Sequence, residues 1–554
     1  MLLLPLLVTL ALPTARAFPE HLSTFLHKNI EGAGKCVSDS HNGHVHGEPE
    51  SEMAAFFDVS QTRLAWPNTP QSDFDGVPSP PLEIQPLVVS GPSSNRVDLV
   101  FFSDGYLQEE REKFIQDATR LASDISSNQT FDTVKPLMNF WAAFTPSKES
   151  GVGVGGKPKD TAFGLYRPGT ELRGVYYAKP EVAGAACSSL GDQCDYPILL
   201  GNDPLYGGLG GRFTVITPSL ANGASILRHE LGHSIIKVGE EYDGGEGYFG
   251  VNAHADLSTP VPWAHWLTNS TNVRVERSVM PMQDYAWALL NTTKPWSVTF
   301  ESSGTFARHL VRFSVSGLPE AADLQVDLDG TDLGWVPRAN IGLDRWHYNL
   351  YREGGLSGGP HTLTFTLLNG ARVPAAQMCN AEILEFGDES EFVSTPGHYS
   401  LYPTFSFENV TTYRPTNEDC LMRLVTTPNF CKACLEGLWL KLLRDVTLID
   451  TIDESCAPPA SSGPTPTSTL TLRLVPLAQF RTSAVAGLDE SYTVTWSKDG
   501  VVLPAWTNKT QVDAAPGTYA VDVKYTTTEV RVDPTNLLTA HMNYTVSESS
   551  CTRA

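Results

Sequence analysis

The stretch Arg228-His229-Glu230-Leu231-Gly232-His233, followed by Gly239-Glu240-Glu241-Tyr242-Asp243-Gly244-Gly245, decides how this chain is read. It is an H-E-x-x-H pattern with two acids just past a glycine. Residues four apart share one face of a helix, so His229 and His233 can reach the same metal ion. Glu230 then stands beside that metal, placed to take a proton from water. Two neutral imidazoles, one further ligand and an open position describe a catalytic zinc site rather than a closed structural one. Glycine lets the chain turn sharply, so the third ligand is expected from the acids beyond Gly239. Glu240 is favoured, with Glu241 as the alternative, and one zinc ion per chain is expected.

A bare H-E-x-x-H also arises by chance in ordinary helices, so its surroundings carry weight. The run Gly211-Arg212-Phe213-Thr214-Val215-Ile216-Thr217 reads as a strand, and Ala221-Asn222-Gly223-Ala224 as a small-residue turn. A helix is expected over residues 222–238, ending at Gly239. The strand at 211–217 is expected to form a sheet edge able to pair with an extended peptide. Upstream, 97–102 is an apolar strand, and Phe114, Ile115, Ala118, Leu121 and Ile125 have helical spacing. A further strand lies at 140–144. The succession predicts a mixed α/β sheet with the metal helix packed on it.

From about residue 296 the pattern becomes all-β. Alternating runs such as Leu310-Val311-Arg312-Phe313-Ser314-Val315 are separated by glycine-rich turns, which predicts a β-sandwich. Cys420-Leu421-Met422-Arg423 then leads into a helix-like run at 431–443. After a Pro/Ser/Thr linker, Tyr492-Thr493-Val494-Thr495-Trp496 and Tyr519-Ala520-Val521-Asp522-Val523 alternate as in an immunoglobulin-like sandwich. The expected division is a signal peptide (1–17), an N-terminal β or propeptide-like region (18–95), and a catalytic domain in two parts (96–295 and 411–457). A β-sandwich (296–410) interrupts that domain. A linker (458–468) and an Ig-like β domain (469–554) follow.

Composition narrows the function classes. The chain has 554 residues, 41% of them hydrophobic and 18% charged, as globular proteins do. Its formal net charge of −23 argues against nucleic acid, whose binding needs basic surface to displace counterions. Residues 1–17 open with an apolar run, Leu2 to Leu12, and end in Ala15-Arg16-Ala17, a secretory cleavage pattern. No later stretch is long and apolar enough for a membrane span, so a protein released outside the cell, without a membrane partner, is expected. Six N-x-S/T acceptors, at Asn128, Asn269, Asn291, Asn409, Asn508 and Asn543, fit a glycoprotein. Of nine cysteines, Cys187 and Cys194 close a short loop and are disulfide candidates. Cys420, Cys431 and Cys434 cluster in sequence, and Cys420 is expected to pair with one of the other two. His41, His44 and His46 read as a solvated loop, and Cys36 as a disulfide cysteine rather than a zinc cap.

The block from His229 to Gly245 resembles the IgA-peptidase-like metallopeptidases, or igalysins, a branch of the metzincin clan. Two further segments are similar to the same family. One is Val97-Asp98-Leu99-Val100-Phe101-Phe102-Ser103-Asp104-Gly105-Tyr106, and the other runs from Cys420-Leu421-Met422-Arg423 to Phe430-Cys431-Lys432-Ala433-Cys434. The resemblance implies a zinc endopeptidase acting on polypeptide. Zinc would be held by His229, His233 and an acid of the Gly-Glu-Glu segment, with Glu230 as general base. Met422 would be the Met-turn residue, the hydrophobic floor beneath the metal, with Met280 and Met282 competing for that role. Metzincins carry a glycine three residues after the second histidine, where this chain has Ile236. The immunoglobulin in the family name refers to a few members and is not carried over as a substrate. A monomer is expected, with carbohydrate contact through the β domains. The competing reading is a catalytically degenerate peptidase fold that binds glycan or protein; a zinc-dependent deacetylase or amidase acting on sugars is a third.

Overall fold

The computed structural model describes residues 76–127, 129–245, 247–456 and 468–547. The leader at 1–17, the histidine run at 41–46, Cys36 and Asn128 lie outside the described residues.

Strands β1 (Glu83–Val88), β2 (Val97–Asp104), β3 (Met138–Phe144), β4 (Tyr196–Gly201), β5 (Gly208–Leu209) and β6 (Thr214–Ile216) form one sheet. Their order is β1-β3-β2-β4-β6-β5. The four inner strands are parallel, and β1 and β5 close the two ends antiparallel. Every residue of β2 is buried, as expected of a parallel strand covered on both faces. Alternation along it divides the work. Leu99 and Phe101 join a core containing α1 (Arg111–Ile125), while Val100 and Phe102 face α2 (Pro180–Ser188). The metal-motif helix α3 (Gly223–Ile235) and the late helix α4 (Lys432–Asp445) share the first of these cores, through Leu227, Leu231, Leu438 and Trp439.

Two sequence expectations change here. The sheet begins before residue 96, because β1 pairs with β3 from within the region assigned to an N-terminal segment. The strand read at 211–217 shrinks to Thr214–Ile216 and lies between β4 and β5, so it is interior. The edge nearest α3 is β5. Sequence alone conceals this, since a two-residue strand has no periodicity to read.

The sandwich is built from two sheets. One holds Ser278–Asp284, Ala288–Leu289, Arg308–Ser316, Trp346–Arg352 and Gln377–Phe386. The other holds Trp296–Ser302, Leu324–Leu328, Thr331–Asp332 and Gly359–Leu367. Val311, Phe313, Val326, Phe365 and Ile383 fill the space between them. The sandwich therefore starts at Ser278 rather than 296, because Ser278–Asp284 pairs with Gln377–Phe386. Met280 and Met282 are buried in that strand and belong to the sandwich, which removes them from the Met-turn role.

A chain of buried charges locks this module to the α/β layer. Arg312 pairs with Glu382 at 3.0 Å and Glu418 at 2.6 Å, and Arg423 pairs with Asp243 at 2.5 Å and reaches Glu418 at 3.5 Å. The Asp344 carboxylate, also from the sandwich, accepts hydrogen bonds from Ser219 and Asn222 at the start of α3. Truncating one member of such a network strands its partners without water. Arg312→Ala is expected to cost about 3–5 kcal/mol, read as a lowered guanidinium midpoint. A loss below about 1 kcal/mol would show that Glu382 and Glu418 need no partner.

The C-terminal module is a second pair of sheets. Ile449–Cys456, Ser468–Leu474 and Gln511–Ala514 form one, and Glu490–Lys498, Val501–Val502, Gly517–Thr527 and Thr539–Val546 the other. It begins at Ile449, inside the segment assigned to the catalytic part, and its core runs into α4, with Trp439 and Tyr525 rings 5.6 Å apart. The whole is an α/β layer joined to β modules. Cys187 and Cys194 are disulfide-bonded. Asn269, Asn291, Asn409, Asn508 and Asn543 are all exposed. No described helix is long and apolar enough to cross a membrane.

Candidate metal centre

Helix α3 follows Asn222 and ends at Ile235, three residues earlier than the sequence suggests. Ile236 is extended, with φ −101° and ψ 152°, and its N–H still bonds to the Gly232 carbonyl. A residue at that φ needs no glycine, so the helix breaks where a metzincin helix would, with a buried isoleucine in place. Gly239 is not needed for a left-handed turn. It is needed because a Cβ there would lie 2.2 Å from the Gly247 carbonyl oxygen and 2.5 Å from the Phe249 nitrogen.

The turn brings Glu240 back to the helix. Its carboxylate lies 2.9 Å from His233 Nε2 and 3.3 Å from His229 Nε2. The two Nε2 atoms face each other at 3.2 Å. Each ring is held from behind: His229 Nδ1 contacts the Leu421 carbonyl at 3.1 Å, and His233 Nδ1 the Val238 carbonyl at 3.3 Å. A carbonyl can only accept, so both Nδ1 atoms carry the proton and both Nε2 lone pairs point inward. With metal–nitrogen bonds of about 2.0–2.1 Å, tetrahedral donors stand about 3.3 Å apart, close to the separation here. Glu240 Oε2 is buried without a hydrogen-bond partner. This donor set fits a metal ion.

The electrostatics agree. Burial alone would lower the His229 pKa, but the charge and hydrogen bond of Glu240, with Glu230 behind it, hold it up at about 9. Despite its own burial, Glu240 is kept far below the usual carboxylate range by His233 and His229. A cation held by the two Nε2 atoms would supply the positive charge that the Glu240 carboxylate favours.

Glu241 goes elsewhere. Adjacent residues of an extended segment point to opposite sides. Glu241 Oε1 accepts from Asn252 Nδ2 at 2.9 Å and lies 3.7 Å from Cys434 Sγ, away from the histidines. The alternative third ligand is therefore not part of this cluster, whose members are His229, His233 and Glu240. Glu230 sits on the same helix beneath β5. Burial raises its carboxyl pKa against the pull of both histidines. Met422 is fully buried under the motif helix, its sulfur 3.1 Å from where a Cβ on Gly232 would be.

Cys420 does not pair with Cys431 or Cys434. All three are free and buried, and the Cys420 and Cys434 sulfurs are 3.8 Å apart, well beyond a bond. Tyr242 is a phenol whose pKa is driven up by burial and by the charge of Glu240, so it stays a donor beside the cluster.

Some residues at the site were missed by sequence reading. Gly208 and Gly210 let β5 pass directly over Glu230: a Cβ at Gly208 would meet Ile226 at 2.3 Å, and one at Gly210 would meet Glu230 Oε2 at 2.8 Å. The run Gly207-Gly208-Leu209-Gly210-Gly211 was the available signal, since glycines inside a strand mark close backbone approach. Asn252 was missed too. Its amide bonds both the backbone of Gly239 and the Glu241 carboxylate, fixing the turn that delivers Glu240.

Residues 85–302 match the family described as IgA Peptidase M64. This segment is IgA-peptidase-like. It runs from within β1 to the end of strand Trp296–Ser302, and so contains His229, Glu230, His233 and Glu240. Met422 lies beyond it. The match supports a peptidase, and the cluster of His229, His233 and Glu240 supports one that uses a metal. No curated protein matches the chain. Among solved structures, a GH2 beta-galacturonidase from Eisenbergiella tayi is 10% identical with a TM-score of 0.09, over 42% of this chain and 33% of that one. A beta-glucosidase from Kluyveromyces marxianus is 8% identical with a TM-score of 0.12, over 48% of this chain and 47% of that one. The chain spans less than two thirds of either, and at such scores no shared fold follows.

Proposed function

We propose that the protein is a secreted zinc endopeptidase of metzincin type, carrying a β-sandwich insertion and a C-terminal Ig-like domain. The observation that carries this is the convergence of His229 Nε2, His233 Nε2 and Glu240, with both Nδ1 atoms already engaged by backbone carbonyls. Two imidazoles and one carboxylate are a set that catalytic zinc uses, leaving a further position open. A bound zinc supplies Lewis acidity towards a carbonyl oxygen and towards water.

The chain's own residues do the rest. Strand β5 ends the sheet above Glu230, and an extended peptide added along it lies across the site. Glu230, not a metal ligand, accepts a proton from the attacking water and returns it to the leaving amine. Its burial favours the protonated form, which suits the second of those steps. Tyr242 can donate to the oxygen on which charge develops. The leader at 1–17, the Cys187–Cys194 bond and the exposed sequons support release outside the cell and glycosylation. Carbohydrate contact through the β modules and a monomeric state belong to the same reading.

The test is zinc content together with hydrolysis of casein. Cleavage that is lost on chelation and restored by zinc is expected. Protein that holds no metal at the histidine cluster, and leaves casein intact, would leave the chain as a binding scaffold.

A further inference from the structure

A second cluster lies behind the first. Glu241, Cys420, Cys431 and Cys434 come from three separate stretches of chain, and their ligand atoms all fall within 4.8 Å of one another. All four residues are buried, with Glu241, Cys420 and Cys434 at 0% exposure. Cys420 and Cys434 sulfurs stand 3.8 Å apart, and Cys434 Sγ stands 3.7 Å from Glu241 Oε1. Four donors at zinc–sulfur distances of about 2.3 Å place their sulfurs about 3.8 Å apart around a tetrahedron.

We propose that this is a second metal site, a structural zinc held by Cys420, Cys431, Cys434 and Glu241. Several observations favour it over a disulfide. Three thiols are an odd number, so a disulfide between any two of them leaves the third thiol buried against the Glu241 carboxylate. Glu241 Oε2 is buried and has no hydrogen-bond partner, an expensive state for a carboxylate that is not a ligand. The pair Cys431-Lys432-Ala433-Cys434 has the C-x-x-C spacing of zinc sites and opens α4, whose free N–H groups favour thiolate. The Cys431 N–H points at Cys420 Sγ at 3.3 Å, and Asn252 orients Glu241 from the side, the outer contacts that metal ligands keep. On binding, the three thiol protons are released to solvent and four closed contacts form.

The position gives the site a use. Glu241 follows Glu240, and Cys420 precedes Leu421 and Met422, whose carbonyls accept from His229 Nδ1 and the Glu241 N–H. One ion would tie the third-ligand turn, the methionine floor and α4 together behind the catalytic cluster. It is a positioning site, with no access for substrate.

The experiment uses full-length protein, secreted and purified without reductant or chelator. Metal analysis is expected to find about two zinc ions per chain, and about one in the double variant His229→Ala/His233→Ala. Cobalt loaded into that double variant should still show the strong near-ultraviolet charge-transfer absorption of cobalt thiolate. Alkylation under denaturing, chelating, non-reducing conditions should label Cys420, Cys431 and Cys434 alike. Cys434→Ser should lose one zinc; if that variant does not fold, the cobalt spectrum and the thiol map still decide. A disulfide between any two of the three cysteines overturns the proposal, as does a histidine double variant with neither zinc nor the thiolate band. Failure of the peptidase reading looks different: wild type would then hold one zinc and keep the band.

Discussion

Glutamine at position 230 is expected to lower peptide hydrolysis by about a thousandfold while leaving the metal in place. The substitution keeps the shape of the side chain and removes only its capacity to take a proton. Glu230 is absent from the ligand cluster, which closes with His229, His233 and Glu240. Space above it is set by the bare backbone at Gly208 and Gly210, so an isosteric amide meets no new contact. The loss should therefore fall on kcat, with KM and metal content near those of wild type. The measurement is kcat/KM on an unfolded protein or fluorogenic peptide, beside metal analysis of the same preparation. Activity within about tenfold of wild type would remove Glu230 from the base role, because proton transfer by a positioned side chain contributes at least about a hundredfold. The inactive variant also separates two readings of an inert wild type: a true scaffold is indifferent to Glu230→Gln, whereas a narrow peptidase given its substrate is not.

The site was legible wherever its geometry is local. His229 and His233 are four residues apart on one helix, so their convergence follows from helical pitch, and Glu240 follows from a turn only a few residues later. Met422 was legible only through a resemblance, since nothing in its own neighbourhood marks a methionine that lies nearly two hundred residues from the helix it supports. What stayed hidden depends on pairing at a distance. The edge strand β5 is two residues long, and its importance appears only once Ile226 and Glu230 are seen beneath Gly208. The sandwich boundary moved from 296 to Ser278 because one long strand, Gln377–Phe386, recruits Ser278–Asp284 as a neighbour. The three cysteines read as a disulfide framework because sequence spacing carries no information about Glu241 beside them. Even the helix end depended on φ at a single position, Ile236, which a β-branched residue satisfies as well as a glycine does.

Glu240 and Glu241 offer the sharpest test of that geometry, because neighbours of identical chemistry are assigned to different places. Glu240→Ala removes the carboxylate that lies against both the His229 and His233 Nε2 atoms, the third ligand proposed above. Changing a residue that merely orients a ligand costs about 10–100-fold in metal affinity, and losing the ligand itself should exceed that. The two imidazoles then face each other across a gap with no carboxylate to balance a dication. The expected result is protein that folds, loses metal from the histidine cluster on dialysis, and hydrolyses nothing measurable. Folding should survive because the Glu240 side chain, 18% exposed, belongs to no hydrophobic core, and its backbone N–H, bonded to the Gly247 carbonyl, is untouched. Glu241→Gln should leave the histidine cluster able to take up metal, since its side chain points towards Asn252 and Cys434 instead. Equilibrium dialysis against a graded zinc buffer, run on both variants and on wild type beside casein hydrolysis, separates the two, because zinc lost from the histidine cluster takes cleavage with it. If Glu241→Gln strips the histidine cluster and Glu240→Ala does not, the turn after Gly239 has the opposite register in solution. The third ligand assigned here would then be wrong.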